Sequence, residues 1–249
     1  KLQRAAQRRK SGLFLAEGAN AVTAALETGR VRELFYSLAA AERETALIAG
    51  AAADGVRATL VSDRAAEHLG ETVTAPGLVA VCELLDVPLG EVIERGPRIL
   101  AVPVEIAEPG NAGTLIRVAD AVGADGVILA GETVDPHNGK CVRASAGSIF
   151  HLPIIRETDI DAGLDRLRAL GLLTLATTAD GDLSLPGAGE QLRRPHAWLF
   201  GNEAHGLPDE IIAAADHRVS IPIHGRAESL NLAAASAICL YASATAQHD

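Results

Sequence analysis

The sequence predicts an α/β protein built on a mainly parallel sheet, preceded by a small α/β domain. Three observations carry this. From residue 99 onward, short apolar runs alternate with helical stretches, the pattern that parallel strands and their crossover helices require. Before it, strand-like and Ala-rich helical stretches also alternate, over a shorter length. Between the two lies a stretch punctuated by Pro88, Gly90, Gly96 and Pro97, flanked by the apolar runs 78–85 and 99–106, which reads as a boundary. The expected layout is a domain over residues 1–86, a linker over 87–98 and a larger domain over 99–249.

In the first part, residues 31–36 and 58–61 read as strands and residues 19–27 and 39–53 as helices. In the second, strands are expected at 99–106, 126–130, 172–177, 196–200 and 218–221. Helices are expected around 114–122, 160–170, 208–215 and 230–246. The last is rich in alanine (Ala233, Ala234, Ala235, Ala237), so neighbouring backbone can pack closely against it. No internal repeat at the period of a solenoid is present.

The chain of 249 residues is ample for a buried core. No apolar run approaches the ~20 residues that cross a bilayer, and no signal-like segment appears at the N-terminus. Cys82, Cys141 and Cys239 are odd in number and scattered, which excludes a disulfide framework and any thiolate zinc site of usual spacing. A reduced, cytoplasmic compartment and buried thiols are the expectation. The net charge of −10 taken alone argues against a nucleic-acid partner. It is unevenly spread, however. Residues 1–100 hold 12 basic and 13 acidic side chains and the remainder 10 and 19. Lys1, Arg4, Arg8, Arg9 and Lys10 crowd the first ten residues.

A parallel sheet binds its ligand at the carboxyl ends of its strands, so the loops that follow strands are where function is expected. One runs from Glu105 through Pro109-Gly110-Asn111 to Arg117, with Asn111 as a candidate helix cap and exposed N–H groups that attract anions. A second, residues 135–148, joins the turn formers Asp135 to Gly139 to small residues, with Lys140 and Arg143 alongside. In it His137 reads as a turn residue and not a base. A third leaves the strand at Phe200 with Gly201 at the corner, then Asn202, Glu203 and His205; glycine there admits a ligand directly against the backbone. The fourth runs from Ile221-Pro222 to Ser229, Leu230 and Asn231 and opens the last helix. A dinucleotide glycine fingerprint, a P-loop, a nucleophile elbow and an HExxH pair are all missing from the sequence.

In this order and spacing the loops resemble the signatures of the SpoU-type (TrmH-like) RNA 2′-O-ribose methyltransferases of the SPOUT superfamily. Asn111 to Arg117 is similar to the first family motif, Phe200 to Leu207 to the second, and Ile221 to Gly225 with Glu228 to Leu232 to the third. Residues 143–148 match a further family-typical segment. Phe14 to Gly18 and Thr74 to Val79 resemble, more loosely, the small substrate-binding domain that many members carry. Ile223 stands where many relatives have Met, a volume-conserving exchange.

The resemblance implies a catalytic domain whose C-terminal segment is threaded into a trefoil knot, a topology that general rules would not suggest. It implies S-adenosyl-L-methionine (AdoMet) as cofactor, its adenine held by backbone around Gly201, Ile221 and Leu230, with no metal. It implies a homodimer with the active site at the subunit interface. Asn111, Arg117, Glu203, Ser229 and Asn231 are the implied catalytic residues. Arg117 is the family's proposed activator of the 2′-hydroxyl, and Glu203 an alternative proton acceptor or an orienting group. The accessory N-terminal domain favours 23S ribosomal RNA as substrate, in the layout of enzymes that include thiostrepton-resistance-like members. A tRNA substrate and a non-catalytic RNA-binding or ribosome-assembly protein of the same fold are the alternatives. On this reading the basic run at residues 1–10, with Lys140, Arg143 and Arg117, becomes a candidate phosphate track. Neutralising Arg4, Arg8 and Arg9 is then expected to weaken RNA binding and flatten its salt dependence.

Overall fold

The computed structural model describes residues 2–70 and 76–248. Lys1, Thr74, Ala75 and Asp249, which the sequence reading used, lie outside the described residues. Two compact units are present: residues 1–85 with 135–151, and residues 86–134 with 152–249.

The first unit carries a four-stranded mixed sheet of β1 (Leu13–Glu17), β2 (Val31–Tyr36), β3 (Arg57–Leu60) and β4 (Leu78–Glu83), in the order β1-β4-β2-β3. β4 is antiparallel to both neighbours and β2 runs parallel to β3. The strand at Leu13–Glu17 was not foreseen; its buried residues Phe14 and Ala16 alternate as a half-covered strand requires. The later segment contributes a helix, Gly139–Ala144, whose Asn138 cap accepts the Lys140 N–H at 2.9 Å. Its foot is held by a buried polar cluster. Arg8, 3% exposed, donates to Asp135 through Nε (2.9 Å) and Nη2 (2.6 Å) and to the carbonyls of Leu2 and Gln3. His137, also buried, accepts the Leu85 N–H at Nε2 (3.0 Å) and packs on the Phe14 ring. His137 is therefore a structural turn residue. Arg8 must be removed from the phosphate track: it neutralises Asp135 inside the protein, whereas Arg4, Arg9 and Lys10 are exposed.

The second unit holds seven strands: β5 (Ile99–Pro103), β6 (Gly126–Ala130), β7 (Ile154–Glu157), β8 (Leu173–Thr177), β9 (Leu183–Ser184), β10 (His196–Phe200) and β11 (His217–Ser220). Their order is β7-β6-β5-β10-β8-β11-β9 and every pairing is parallel. All residues of β5, β6 and β10 are buried, as continuous apolar runs covered on both faces should be. The stretch expected as a linker is not one structurally. It forms the helix Leu89–Ile93, and Leu89 and Val92 pack into the core with Leu100, Val102, Ile155 and Leu164.

One buried polar cluster fixes the C-terminal helix Leu232–His248 to the sheet. Ser243, fully buried on that helix, lies 2.7 Å from His196 Nε2 and accepts the Trp198 Nε1–H at 2.8 Å. His196 Nδ1 is 2.7 Å from the Arg194 carbonyl, so Nδ1 carries the proton and Nε2 accepts the Ser243 hydroxyl. Ser243 Oγ also lies within donating reach of the Cys239 carbonyl at 3.2 Å. Burial disfavours the imidazolium and lowers the His196 pKa from its usual 6.5; the Arg194 carbonyl opposes this and Arg98 adds to it.

Two outcomes are expected from these clusters. Replacing Arg8 with Met takes the guanidinium away from the largely buried Asp135 carboxylate, and chemical denaturation should show a loss of about 3–5 kcal/mol. For His196 the unfolded chain takes up a proton that the folded chain resists, so its contribution is complete above the usual value of 6.5 and declines as pH falls below it. Thermal stability should therefore drop on acidification through that range, and His196→Gln should flatten the dependence while costing stability at neutral pH.

Candidate active site

The helix Pro109–Ala121 follows β5 and is capped by Glu108, whose side chain accepts the Gly110 N–H at 2.9 Å. Asn111 is therefore not the cap that the sequence suggested. It sits inside the first turn, its amide free to reach outward. That amide donates from Nδ2 to Glu203 Oε1 at 2.9 Å. Its carbonyl oxygen in turn accepts Asn231 Nδ2 at 3.3 Å. Asn231 does cap: its Oδ1 accepts the Ala233 N–H at 2.8 Å and opens the C-terminal helix. The other Glu203 oxygen accepts the Ala107 N–H at 3.3 Å. A directed hydrogen-bond chain thus runs from Asn231 through Asn111 to Glu203.

Glu203 itself belongs to a tight turn closed by reciprocal backbone bonds of 2.9 Å between Asn202 and Gly206. Desolvation pushes its pKa up. The Asn111 amide and the backbone N–H groups of Glu203, Ala107 and Glu108 outweigh that and hold it below the ordinary carboxylate value. Glu203 is consequently an anion at neutral pH.

Gly201 lies at the exit of β10, as the sequence indicated, but the reason for glycine is internal. A Cβ there would stand 2.2 Å from the Gly206 backbone carbon and 2.3 Å from the Leu207 nitrogen. The glycine closes the 202–206 turn. Ile221 follows β11 directly, and Leu230 is exposed in the loop before the last helix. Among the described residues the side chains of Arg117 and Ser229 engage no hydrogen-bond or ion-pair partner, and both residues are exposed. Six residues along a helix rise about 9 Å and turn about 120° away, so Arg117 and Asn111 present different faces of the helix.

Three further features escaped sequence reading. The Ala107 N–H is a backbone group and leaves no sequence signal. Thr178, directly after β8, buries a hydroxyl oxygen with no hydrogen-bond partner among the described residues. Glu105 is one of two non-glycine residues with positive φ among them, at 52°. All three Cys side chains are buried, which drives each thiol pKa up to about 12. Among the described residues no group of three or more His, Cys, Asp or Glu side chains is arranged to hold a metal ion, and no helix is long and apolar enough to cross a membrane.

Fold and site define a parallel α/β domain with an amide-and-carboxylate cluster at the carboxyl edge of its sheet, on a chain with a further mixed-sheet unit. The chain belongs to the SpoU rRNA Methylase family, whose family model matches residues 98–241. Residues 1–80 match the MRM3-like substrate binding domain. The chain is 31% identical, over 97% of its length and 92% of the relative's, to the 23S rRNA (guanosine(2553)-2′-O)-methyltransferase RlmP of Bacillus subtilis. It is 34% identical, over 94% of its length and 83% of the relative's, to the 23S rRNA (uridine(2479)-2′-O)-methyltransferase of Streptomyces viridochromogenes. A crystal structure of an AdoMet-bound rRNA methyltransferase from Sinorhizobium meliloti superposes with a TM-score of 0.84 at 32% identity, covering 97% of this chain and 90% of that one.

The hydrogen-bond chain predicts a specific electrostatic response. In Asn111→Asp a second carboxylate faces Glu203, and like charges disfavour joint ionisation. The pair should then titrate in two coupled steps, the upper one above that of Glu203 in the parent protein, read by carboxyl carbon NMR.

Proposed function

We propose that this chain is an AdoMet-dependent RNA ribose-2′-O-methyltransferase acting on 23S ribosomal RNA. The observation that carries the reading is the Asn231–Asn111–Glu203 hydrogen-bond chain. It joins one residue from each of the three family motifs in a single place. Relatives matching along nearly the whole chain, the N-terminal domain included, favour ribosomal over transfer RNA. We further read the chain as a cytoplasmic homodimer with a knotted C-terminal segment. Family membership supports the knot. Exposed Ile238 and Tyr241 on the last helix, at 41% and 69%, support a second copy.

The carboxyl edge of the sheet fits the cofactor. β10, β8 and β11 are neighbours, and Gly201, Thr178 and Ile221 follow them in turn. The buried, unpartnered Thr178 hydroxyl among them suits a polar ligand group. Gly201, Ile221 and Leu230 would hold AdoMet through backbone groups. AdoMet supplies a methyl group already activated on a sulfonium, so the protein's task is alignment of a ribose hydroxyl.

Glu203, held as an anion, is a weak base; its work is to orient Asn111, and through it Asn231. A guanidinium is a poor general base, and Arg117 is read as a positioning group. Its exposed guanidinium matches a phosphate or ribose of the substrate in a forked geometry. Ser229, exposed two residues before Asn231, is available to substrate in the same loop.

Arg117→Ala should abolish methyl transfer to 23S rRNA fragments and leave AdoMet affinity by calorimetry nearly intact. Full activity in that variant overturns the assignment. Failure of the parent protein to bind AdoMet would leave the non-catalytic reading in its place.

A further inference from the structure

Asn202 stands beside Glu203 but takes no part in the chain of amides that reaches it. Its side chain is nonetheless fully engaged. Oδ1 accepts the Ala204 N–H at 2.8 Å and so shapes the 202–206 turn. Nδ2 donates to the backbone carbonyl of Glu105 at 2.6 Å, joining two segments 97 residues apart.

The residue at the far end of that bond is strained. Glu105 has φ 52°, a left-handed conformation that costs a side-chain-bearing residue about 1 kcal/mol or more. Three contacts hold it there. Its N–H donates to the Ala130 carbonyl at 2.9 Å, its carbonyl takes the Asn202 amide, and its side chain lies against Gly131, where a Cβ would come within 2.9 Å of Glu105 Cγ. The turn at Glu105 redirects the chain out of β5. Ile106 is then buried, its carbonyl accepting the Val134 N–H, and the next N–H, that of Ala107, faces the Glu203 carboxylate.

We propose that Asn202 is a positioning residue: it clamps the left-handed turn at Glu105, and through that turn sets the Ala107 N–H that fixes Glu203. The loop after β5 and the loop after β10 are thereby locked in one register. The Asn111–Glu203 bond, which spans the same two segments, depends on that register. Among the described residues the Asn202 side chain bonds only the Ala204 N–H and the Glu105 carbonyl, so its effect on the reaction is indirect. This inference rests on the methyltransferase reading for its consequence in turnover, but the clamp can be read without substrate.

The test pairs Asn202→Ala with Glu105→Gly. In Asn202→Ala the strained turn relaxes, and hydrogen exchange at the Ala107 amide, followed by NMR on the protein alone, should accelerate at least tenfold. The kcat for methylation of a 23S rRNA fragment should fall by about 10²-fold, the scale expected for roughly 1 Å of misplacement, with KM for RNA nearly unchanged. Adding Glu105→Gly to Asn202→Ala lets the backbone take the left-handed conformation without the clamp. It should recover most of the lost Ala107 protection and kcat. A merely structural Asn202 would lower the thermal midpoint without such rescue. Unchanged Ala107 exchange in Asn202→Ala, or no recovery in the double variant, overturns the inference. If the parent protein methylates no RNA while Ala107 exchange follows this pattern, the functional reading fails and the clamp stands.

Discussion

Everything at this site depends on one constraint: a parallel sheet delivers the carboxyl ends of all its strands to one edge. β5, β10, β8 and β11 lie side by side and point the same way. The segments that follow them therefore leave from neighbouring points, however far apart they are in sequence. Glu203 lies 92 residues from Asn111, and Asn231 lies 120 from it. Burial of β5 and β10 along their whole length fixes those exits, because shifting such a strand would expose apolar surface at about 25 cal/mol per Å². The last helix is fixed by a second device. Ser243 ties it to His196 and Trp198 of β10, so Asn231, at the helix start, inherits the position of the same strand that places Glu203.

Legibility from sequence follows burial. β2, β6 and β10 matched the expected strands to the residue; for β6 and β10 this is because a strand covered on both faces is an uninterrupted apolar run. β1, β7 and β9 were missed. β9 has only two residues, and β7 carries Arg156 and Glu157, which interrupt the apolar pattern. The stretch 87–98 looked like a linker since its Pro and Gly residues dominate a composition reading. Yet Leu89 and Val92, one turn apart, were enough to bury a short helix. Proline there stops one element and caps the next, and does not imply mobility.

The site divides in the same way. Asn111, Glu203 and Asn231 carry side-chain chemistry and stood out as motif residues, and the structure brings them together. The groups that hold them do not speak through side-chain type. Ala107 acts through its N–H, and Glu105 through a backbone angle. Asn202 acts by reaching a carbonyl. Gly201 was read as a place where a ligand lies directly against the backbone. What comes close, however, is the chain's own Gly206 and Leu207.

Charge is the last point at which sequence and structure must be read together. The net of −10 counts every carboxylate equally, whereas a phosphate meets only what is unpaired at the surface. Several carboxylates are spent inward: Asp135 on Arg8, Glu17 on Arg143, Asp216 on Thr174 and Asp125 on the N–H groups that open β5. Pairing also removes cations from the count, and it removes Arg8 and Arg143 from the track that the basic run suggested. Among the described residues the side chains of Arg4, Arg9, Lys10 and Arg117 carry no such partner. A few free guanidinium and ammonium groups on an acidic protein confine attraction to the places where they stand. Screening within about 10 Å keeps the distant carboxylates from cancelling them. An acidic average is then compatible with RNA, and it disfavours the indiscriminate phosphate binding that a uniformly basic surface would bring.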